Sequence, residues 1–280
     1  MKYLNKRSYI LLFLTVLLLS SCVPEKRLAR NFIDNPPSNK FLIITPDFVL
    51  KESLKPLSDT TLEDVSQRKK DSLAFLESEF VQNIPDEMFF SLYLPAMNEE
   101  LDSLGLNVTF NKPPREFFSD TTSNAYIFEI AQIQLQEYSE KIYDYDIIGR
   151  ETYYKRHTID GILLNAWVEL QRVNASDNKP VLLFAELSKT DKIDGYFHQN
   201  QLTGKVKYSY KRDDLSVSEV KEMIRKAGRI HARYMFDFLM NQYIKAKMRN
   251  DEMKPRYYLH YNRFENTLEF AEDDRFTRQR

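Results

Sequence analysis

"NAYIFEIAQIQLQEY", residues Asn124 to Tyr138, decides how the middle of this chain folds. Tyr126, Phe128 and Ile130 alternate with Ile127 and Glu129, the period of a strand with one packed face. Further on the apolar residues are Ile133 and Leu135, while Gln132, Gln134 and Gln136 are polar. The parity has slipped by one, which in a regular strand would turn the second half of the apolar set to solvent. A β-bulge near Ala131 repairs the slip and keeps one face inward along the whole strand.

The same period continues downstream. Between Ile159 and Gln171 the residues Ile162, Leu164, Ala166, Val168 and Leu170 share one face, and Asn165, Trp167, Glu169 and Gln171 share the other. This is a long antiparallel-type strand with one packed side. "NASDNKP" (Asn174–Pro180) holds turn residues, and "VLLFAELSKT" (Val181–Thr190) reads as the hairpin partner. The period then changes to that of a helix in "SVSEVKEMIRKAGRIHARYMFDFLMNQYIKAKM" (Ser216–Met248). Val220, Ile224, Ala227, His231, Tyr234 and Phe238 recur every three or four residues. Ser216 or Ser218 caps its start.

Upstream, "KFLIITPDFVL" (Lys40–Leu50) is a strand interrupted at Pro46, a residue suited to an edge or a strand end. Val65, Leu73, Leu76 and Phe80 predict a helix that Pro85 stops. A second helix, with Met88, Leu92, Leu101 and Leu104 on one side, is bent or split at Pro95. Gly105 is placed as its C-terminal cap before the strand "LNVTF" (Leu106–Phe110). From Pro24 to Lys40 the chain is polar and ends "DNPPSNK", which predicts an extended tether of a few tens of ångströms at about 3 Å per residue. The expected fold class is α+β: a two-layer sandwich, a mostly antiparallel sheet of long strands covered on one face by helices. The expected divisions are a signal at 1–21, a tether at 22–40, one domain at 41–249 and a polar, aromatic tail at 250–280.

The N-terminus carries an address. Lys2, Lys6 and Arg7 precede an apolar run from Ile10 to Leu19, then small residues, the three-part pattern of an export signal. At roughly ten residues the run is half the length needed to span a bilayer. Leu19-Ser20-Ser21-Cys22 resembles a bacterial lipobox. That resemblance implies diacylglycerol on Cys22, cleavage before it and acylation of the new N-terminus. Two or more acyl chains anchor stably, whereas one does so only marginally. Cys22 is also the only cysteine, so a lipidated chain has no thiol left for disulfides, thiolate catalysis or cysteine-ligated zinc.

The order strand, two helices, strand, antiparallel meander and long helix, over Phe41 to Met248, resembles small envelope lipoproteins that assist lipopolysaccharide assembly, curli secretion or lipid transport. The strand pair "LLNAWVEL" (Leu163–Leu170) and "VLLFAEL" (Val181–Leu187) looks like uncharacterised outer-membrane lipoproteins of Gram-negative bacteria. The lipid anchor, the two-layer α+β layout and the absence of any catalytic motif point to a periplasm-facing, non-enzymatic accessory or scaffold subunit that binds another envelope component, expected to be an envelope protein. Val23, Pro24, Glu25 and Lys26 follow the cysteine, without an aspartate directly after it or an acidic run, which favours the inner leaflet of the outer membrane.

Catalytic signals are sparse. No Gly-x-Ser-x-Gly occurs, and 6 glycines in 280 residues leave little for phosphate-cradling loops. Forty basic against 41 acidic side chains provide no field to recruit nucleic acid. His157, His198, His231 and His260 lie far apart and none begins a His-Glu-x-x-His pattern. His231, on the apolar stripe, reads as a hydrogen-bonded core histidine. Asp191, Asp194 and His198 in "TDKIDGYFH" would begin a metal site, but calcium takes six or more oxygens. A strand end and turn, with Gly195 at positive φ, accounts for them better. No metal and no cofactor are therefore expected. Trp167 is core if a neighbouring element covers it and a partner or sugar anchor if exposed. The tail "RYYLHYNRF", with Arg256, Tyr257, Tyr258, Tyr261 and Arg263, has interface composition or packs on its own domain. Trp167, Asp191, Asp194, Tyr257, Tyr258 and Tyr261 are the candidate contacts for a partner or ligand. The alternative function is a glycan- or lipid-binding or hydrolytic lipoprotein with a cleft beside the sheet.

Overall fold

A computed structural model describes residues 24–36, 40–57, 65–119, 125–173, 180–249, 257–271 and 277–278. The fold is α+β, built on a mixed seven-stranded sheet with two separate hairpins. Its axis is β4 (Ala125–Ile148) paired antiparallel with β5 (Glu151–Arg172), and β5 in turn pairs antiparallel with β6 (Val181–Thr190). The register of β4 against β5 shifts between Ile130 and Gln132, so the bulge lies at Ala131. Phe128, Ile130, Ile133 and Leu135 are all buried as a result.

The other side of β4 departs from the expected antiparallel pattern. The run Lys40–Leu50 breaks into β1 (Lys40–Ile44) and β2 (Leu50–Ser53), and both pair parallel with β4. The strand β3 (Asn107–Phe110) adds parallel to β1, so Pro46 marks a strand end in a sheet interior. Parallel pairing needs a crossover, supplied by α2 (Gln67–Leu76) and α3 (Asp86–Ser103). The helix α2 stops at Leu76, which is exposed, and Phe80 is buried at the start of a 3₁₀ turn, Val81–Asn83. The cause is Glu137 on β4. Its buried carboxylate accepts the N–H groups of Glu79 (3.0 Å), Phe80 (2.8 Å) and Val81 (3.3 Å), which continued helix would have directed to carbonyls.

The helix α3 runs through Pro95 without a split, burying Phe89, Tyr93, Met97 and Leu101 against α5 (Val217–Arg249). Gly228 permits that crossing, because a Cβ there would collide with the Tyr93 carbonyl oxygen and lie 3.2 Å from the Met97 nitrogen. At the centre of the contact, the Tyr93 hydroxyl meets His231 Nδ1 at 2.7 Å. Complete burial pushes the His231 pKa down to about 4, so the ring is neutral at pH 7. Ser216, not Ser218, caps α5. Its Oγ accepts the Glu219 N–H (3.3 Å) while Glu219 Oε2 accepts the Ser216 N–H (3.0 Å), a capping box.

The first and last described segments join this body. Pro24–Asp34 is not an extended tether but a helix, α1, whose Ala29 and Phe32 are buried and whose Phe32 ring meets Phe236 edge-on at 5.4 Å. Pro36 disfavours helix at Asn35, just past the last helical residue Asp34, and so terminates that helix rather than preventing it. The short helix α4 (Pro114–Ser119) places Phe117 with Leu42, Ala125 and Ile127 in a small second cluster on the opposite sheet face. In the tail, β9 (Tyr258–Asn262) and β10 (Thr267–Ala271) form a hairpin, and β11 (Thr277–Arg278) pairs with β6. The hairpin docks on α5 through side chains: Asn241 exchanges hydrogen bonds with both backbone groups of Leu259, and Asp237 Oδ1 accepts the Tyr261 N–H at 3.0 Å.

Candidate binding surface

The strands β4 and β5 outrun the sheet. β6 pairs with β5 only as far as Gly161, and β2 with β4 only as far as Glu137, so Glu140–Ile148 and Ile159–Glu151 continue as a two-stranded arm. At about 3.4 Å per residue it is roughly 30 Å long. The parity that buries Ile133 and Leu135 carries on without another slip. It therefore places Lys141, Tyr143, Tyr145 and Ile147 on the continuation of the core face, opposite Thr158, Arg156, Tyr154 and Thr152 respectively. Beyond the helices nothing among the described residues covers that face. Tyr143, Tyr145, Ile147 and Tyr154 are 57, 77, 66 and 75 % exposed. The carboxylates Asp144, Asp146 and Glu151 all point to the other side. One face of the arm is thus aromatic and cationic, without an acid.

The acidic side is braced. β7 (Lys192–Gln199) and β8 (Val206–Asp213) form a hairpin against it. The Tyr208 hydroxyl donates to Asp144 and lies 3.0 Å from His157 Nε2, and the His157 ring packs on Tyr210 at 5.0 Å. Burial, then the hydrogen bond to Asp144 and its charge, push the Tyr208 pKa up to about 12. Gly195 lies within β7, not in a turn, and makes room for the Tyr208 ring, whose hydroxyl would overlap a Cβ there. A lone two-stranded ribbon is marginal in water, so this brace is what holds the arm's shape.

A charged network fixes the root. Asp191 Oδ2 accepts the Asp160 N–H (2.9 Å) and Arg212 Nη2 (2.7 Å), and Oδ1 accepts the Leu215 N–H (2.8 Å). Asp160 in turn accepts Ser139 Oγ (2.5 Å) and Lys55 Nζ (2.7 Å), and Lys55 also lies 3.2 Å from Glu137. Burial raises the Asp160 pKa, but the bonds from Lys55 and Ser139 outweigh it and hold the carboxyl below its usual range. These residues occupy the point where the buried face of β4 and β5 becomes the exposed one.

The residues expected to bind are dispersed. Trp167 is half-buried against Phe184 at 5.1 Å, which is sheet packing. Asp191 is buried in the root network, whereas Asp194 is exposed on β7 opposite Lys211, so the two acids do not converge. Tyr257 rests on Phe270 (4.6 Å), Tyr258 pairs with Ala271, and Tyr261 packs on Phe236 (5.8 Å). Tyr261 thus helps hold the C-terminal hairpin to α5, whereas the contacts of Tyr257 and Tyr258 lie within the hairpin and Tyr257 stays 48 % exposed. Cys22 and Arg256 lie outside the described residues. Among the described residues no three His, Cys, Asp or Glu side chains gather as a metal site, and no helix is long and apolar enough to cross a membrane. Tyr143, Tyr145, Ile147 and Tyr154 went unread in the sequence, although "KIYDYDII" (Lys141–Ile148) extends the alternation that begins at Ile133. No protein-family model and no curated protein matches the chain.

Proposed function

We propose that this chain is an envelope lipoprotein, anchored by lipid on Cys22 in the outer membrane and facing the periplasm, that works as a non-enzymatic accessory subunit. Its arm binds another envelope protein through the exposed face of Tyr143, Tyr145, Ile147 and Tyr154. The observation that carries this reading is that face: aromatic residues flanked by Lys141 and Arg156, with no carboxylate among them. Tyrosine and arginine are enriched where proteins bind one another, and the aromatic residues there supply most of the binding energy. The partner surface it fits is apolar with an acidic rim. We infer a two-layer arrangement beneath it, with α3 and α5 over the core face of the sheet, supported by the single cluster that joins their residues to Ile133, Leu164 and Val168.

A photo-crosslinking amino acid in place of Tyr145 or Tyr154, in intact cells, tests the partner. A discrete protein adduct at both sites, and none from Asp146 on the acidic side, is expected. Recovery of the protein alone, or of lipid adducts alone, would sink the reading. For the anchor, Cys22→Ser releases the protein from membranes or leaves the precursor unprocessed; normal processing with membrane retention refutes lipidation.

A further inference from the structure

A cleft of about 360 Å³ lies between α5 and the C-terminal hairpin, away from the arm, lined by Lys226, Arg229, Ile230, Arg233, Tyr234 and His260. The α5 residues fall at i, i+3, i+4, i+7 and i+8, one stripe of the helix, and His260 closes the cleft from β9. The lining side chains include two arginines, a lysine, a histidine and a tyrosine, and no acid is among them.

Each polar group is differently committed. Arg233 is anchored from behind: its Nε lies 2.7 Å from the buried Glu100 carboxylate, which also takes Arg263 Nη2 at 3.0 Å, and both guanidiniums rest on the Phe264 ring. One carboxylate between two arginines leaves a positive charge uncompensated. Arg229 has only a loose contact with the exposed Glu99, at 3.7 Å. Lys226 has no ion-pair or hydrogen-bond partner among the described residues. His260 turns Nδ1 to Asp237 Oδ2 at 2.5 Å, which commits that nitrogen and leaves Nε2 as the one available to a ligand. Like charges three and four residues apart on a helix repel, and this stripe sets Lys226, Arg229 and Arg233 at those spacings. An anion in the cleft offsets that repulsion.

We propose that this cleft binds a phosphate monoester, with the phosphate between Lys226, Arg229 and Arg233 and hydrogen-bonded to His260 Nε2. Arginine presents a planar fork that takes two phosphate oxygens at once, and lysine adds a point charge. The volume lies at the small end of ligand pockets and suits a phosphate with a glycerol or a single sugar attached. The source is a lipid headgroup or a small soluble phosphate. The inference is independent of the arm, and its failure leaves the partner reading untouched.

The test uses the full chain in nonionic detergent. Calorimetric titration is run with inorganic phosphate, with a short-chain phosphatidic acid, and with short-chain phosphatidylcholine, a zwitterionic phosphodiester, as the comparison that lacks a monoester. Saturable binding of phosphate, of phosphatidic acid or of both is expected, weakened about tenfold by Lys226→Ala and again by Arg229→Ala. Arg225→Ala, on α5 but outside the cleft, leaves it unchanged. Both substituted residues are partly exposed, so the variants fold, which circular dichroism checks. Binding of phosphatidic acid without phosphate assigns the site to a headgroup; comparable binding of both assigns it to the phosphate itself. Absence of saturable binding by either, equal binding of phosphatidylcholine, or an equal loss in Arg225→Ala overturns the proposal.

Discussion

Replacing Asp191 by asparagine separates a ligand-contacting acid from a structural one. The side chain is buried and both oxygens are used, Oδ1 by the Leu215 N–H and Oδ2 by the Asp160 N–H and Arg212. An amide has one acceptor oxygen, so in either orientation Asp191→Asn sets its NH₂ against at least one of these donors. The milder orientation leaves the Leu215 N–H unsatisfied, at a cost of about 1–3 kcal/mol. It also removes the charge facing Arg212, whose side chain is 37 % exposed, so that solvent screens the pair to about 1 kcal/mol or less. The combined loss is about 1–4 kcal/mol, or roughly 2–16 °C in Tm at about 2–4 °C per kcal/mol for a domain of this size. Urea unfolding followed by circular dichroism, with an unchanged m value, measures it. A loss under about 1 kcal/mol would refute the structural role. Loss of the Tyr145 adduct in a variant that is still folded would return Asp191 to the binding surface.

Gly228→Ala adds a methyl group where α3 and α5 touch backbone to backbone. Overpacking of about 1–3 kcal/mol outweighs the roughly 1 kcal/mol that alanine contributes to a helix, and a thermal melt showing equal or greater stability would refute that contact. His231 sets an acid limit. Its folded pKa of about 4 lies below the usual 6.5, so its contribution is complete above pH 6.5 and lost as pH falls toward 4, on the order of 3 kcal/mol in all. His231→Gln keeps a partner for Tyr93 and removes the titration. Its unfolding free energy should therefore vary less with pH across that window, and an unchanged slope would disprove the assignment.

What was legible in the sequence follows from which forces act locally. The slip at Ala131 is a strand period interrupted once, and a bulge is the local remedy, so it could be placed to the residue. The stripe on α5 and the break at Pro46 were readable for the same reason. Parallel pairing of β1 and β2 along β4 was not, because it depends on the crossover through α2 and α3 and leaves no mark in the strands themselves. The end of α2 is set by Glu137, whose carboxylate captures N–H groups around Phe80, 57 residues away in the chain. In α1 a signal existed: Leu28, Ala29, Phe32 and Ile33 carry helical spacing, but in a polar segment that ends in two prolines. Binding residues were the least legible. Trp167 and Tyr261 have the right chemistry, and only tertiary packing reveals that they rest on Phe184 and Phe236. The arm has the same composition, and its exposure depends on where the helices stop.

The helix α1 changes how the molecule would stand on a bilayer. Between Cys22 and the first helical residue, Pro24, there is Val23 alone. If Cys22 carries the proposed lipid, a single residue separates it in sequence from a helix that Phe32 and Arg30 fasten to α5 and to the C-terminal hairpin. Such an attachment would limit tumbling: the body would keep a narrow range of tilts against the surface instead of sampling a hemisphere on a leash. Under the proposed anchoring, orientation would be inherited from the lipid, and a partner searching in two dimensions would meet the arm at a nearly constant height.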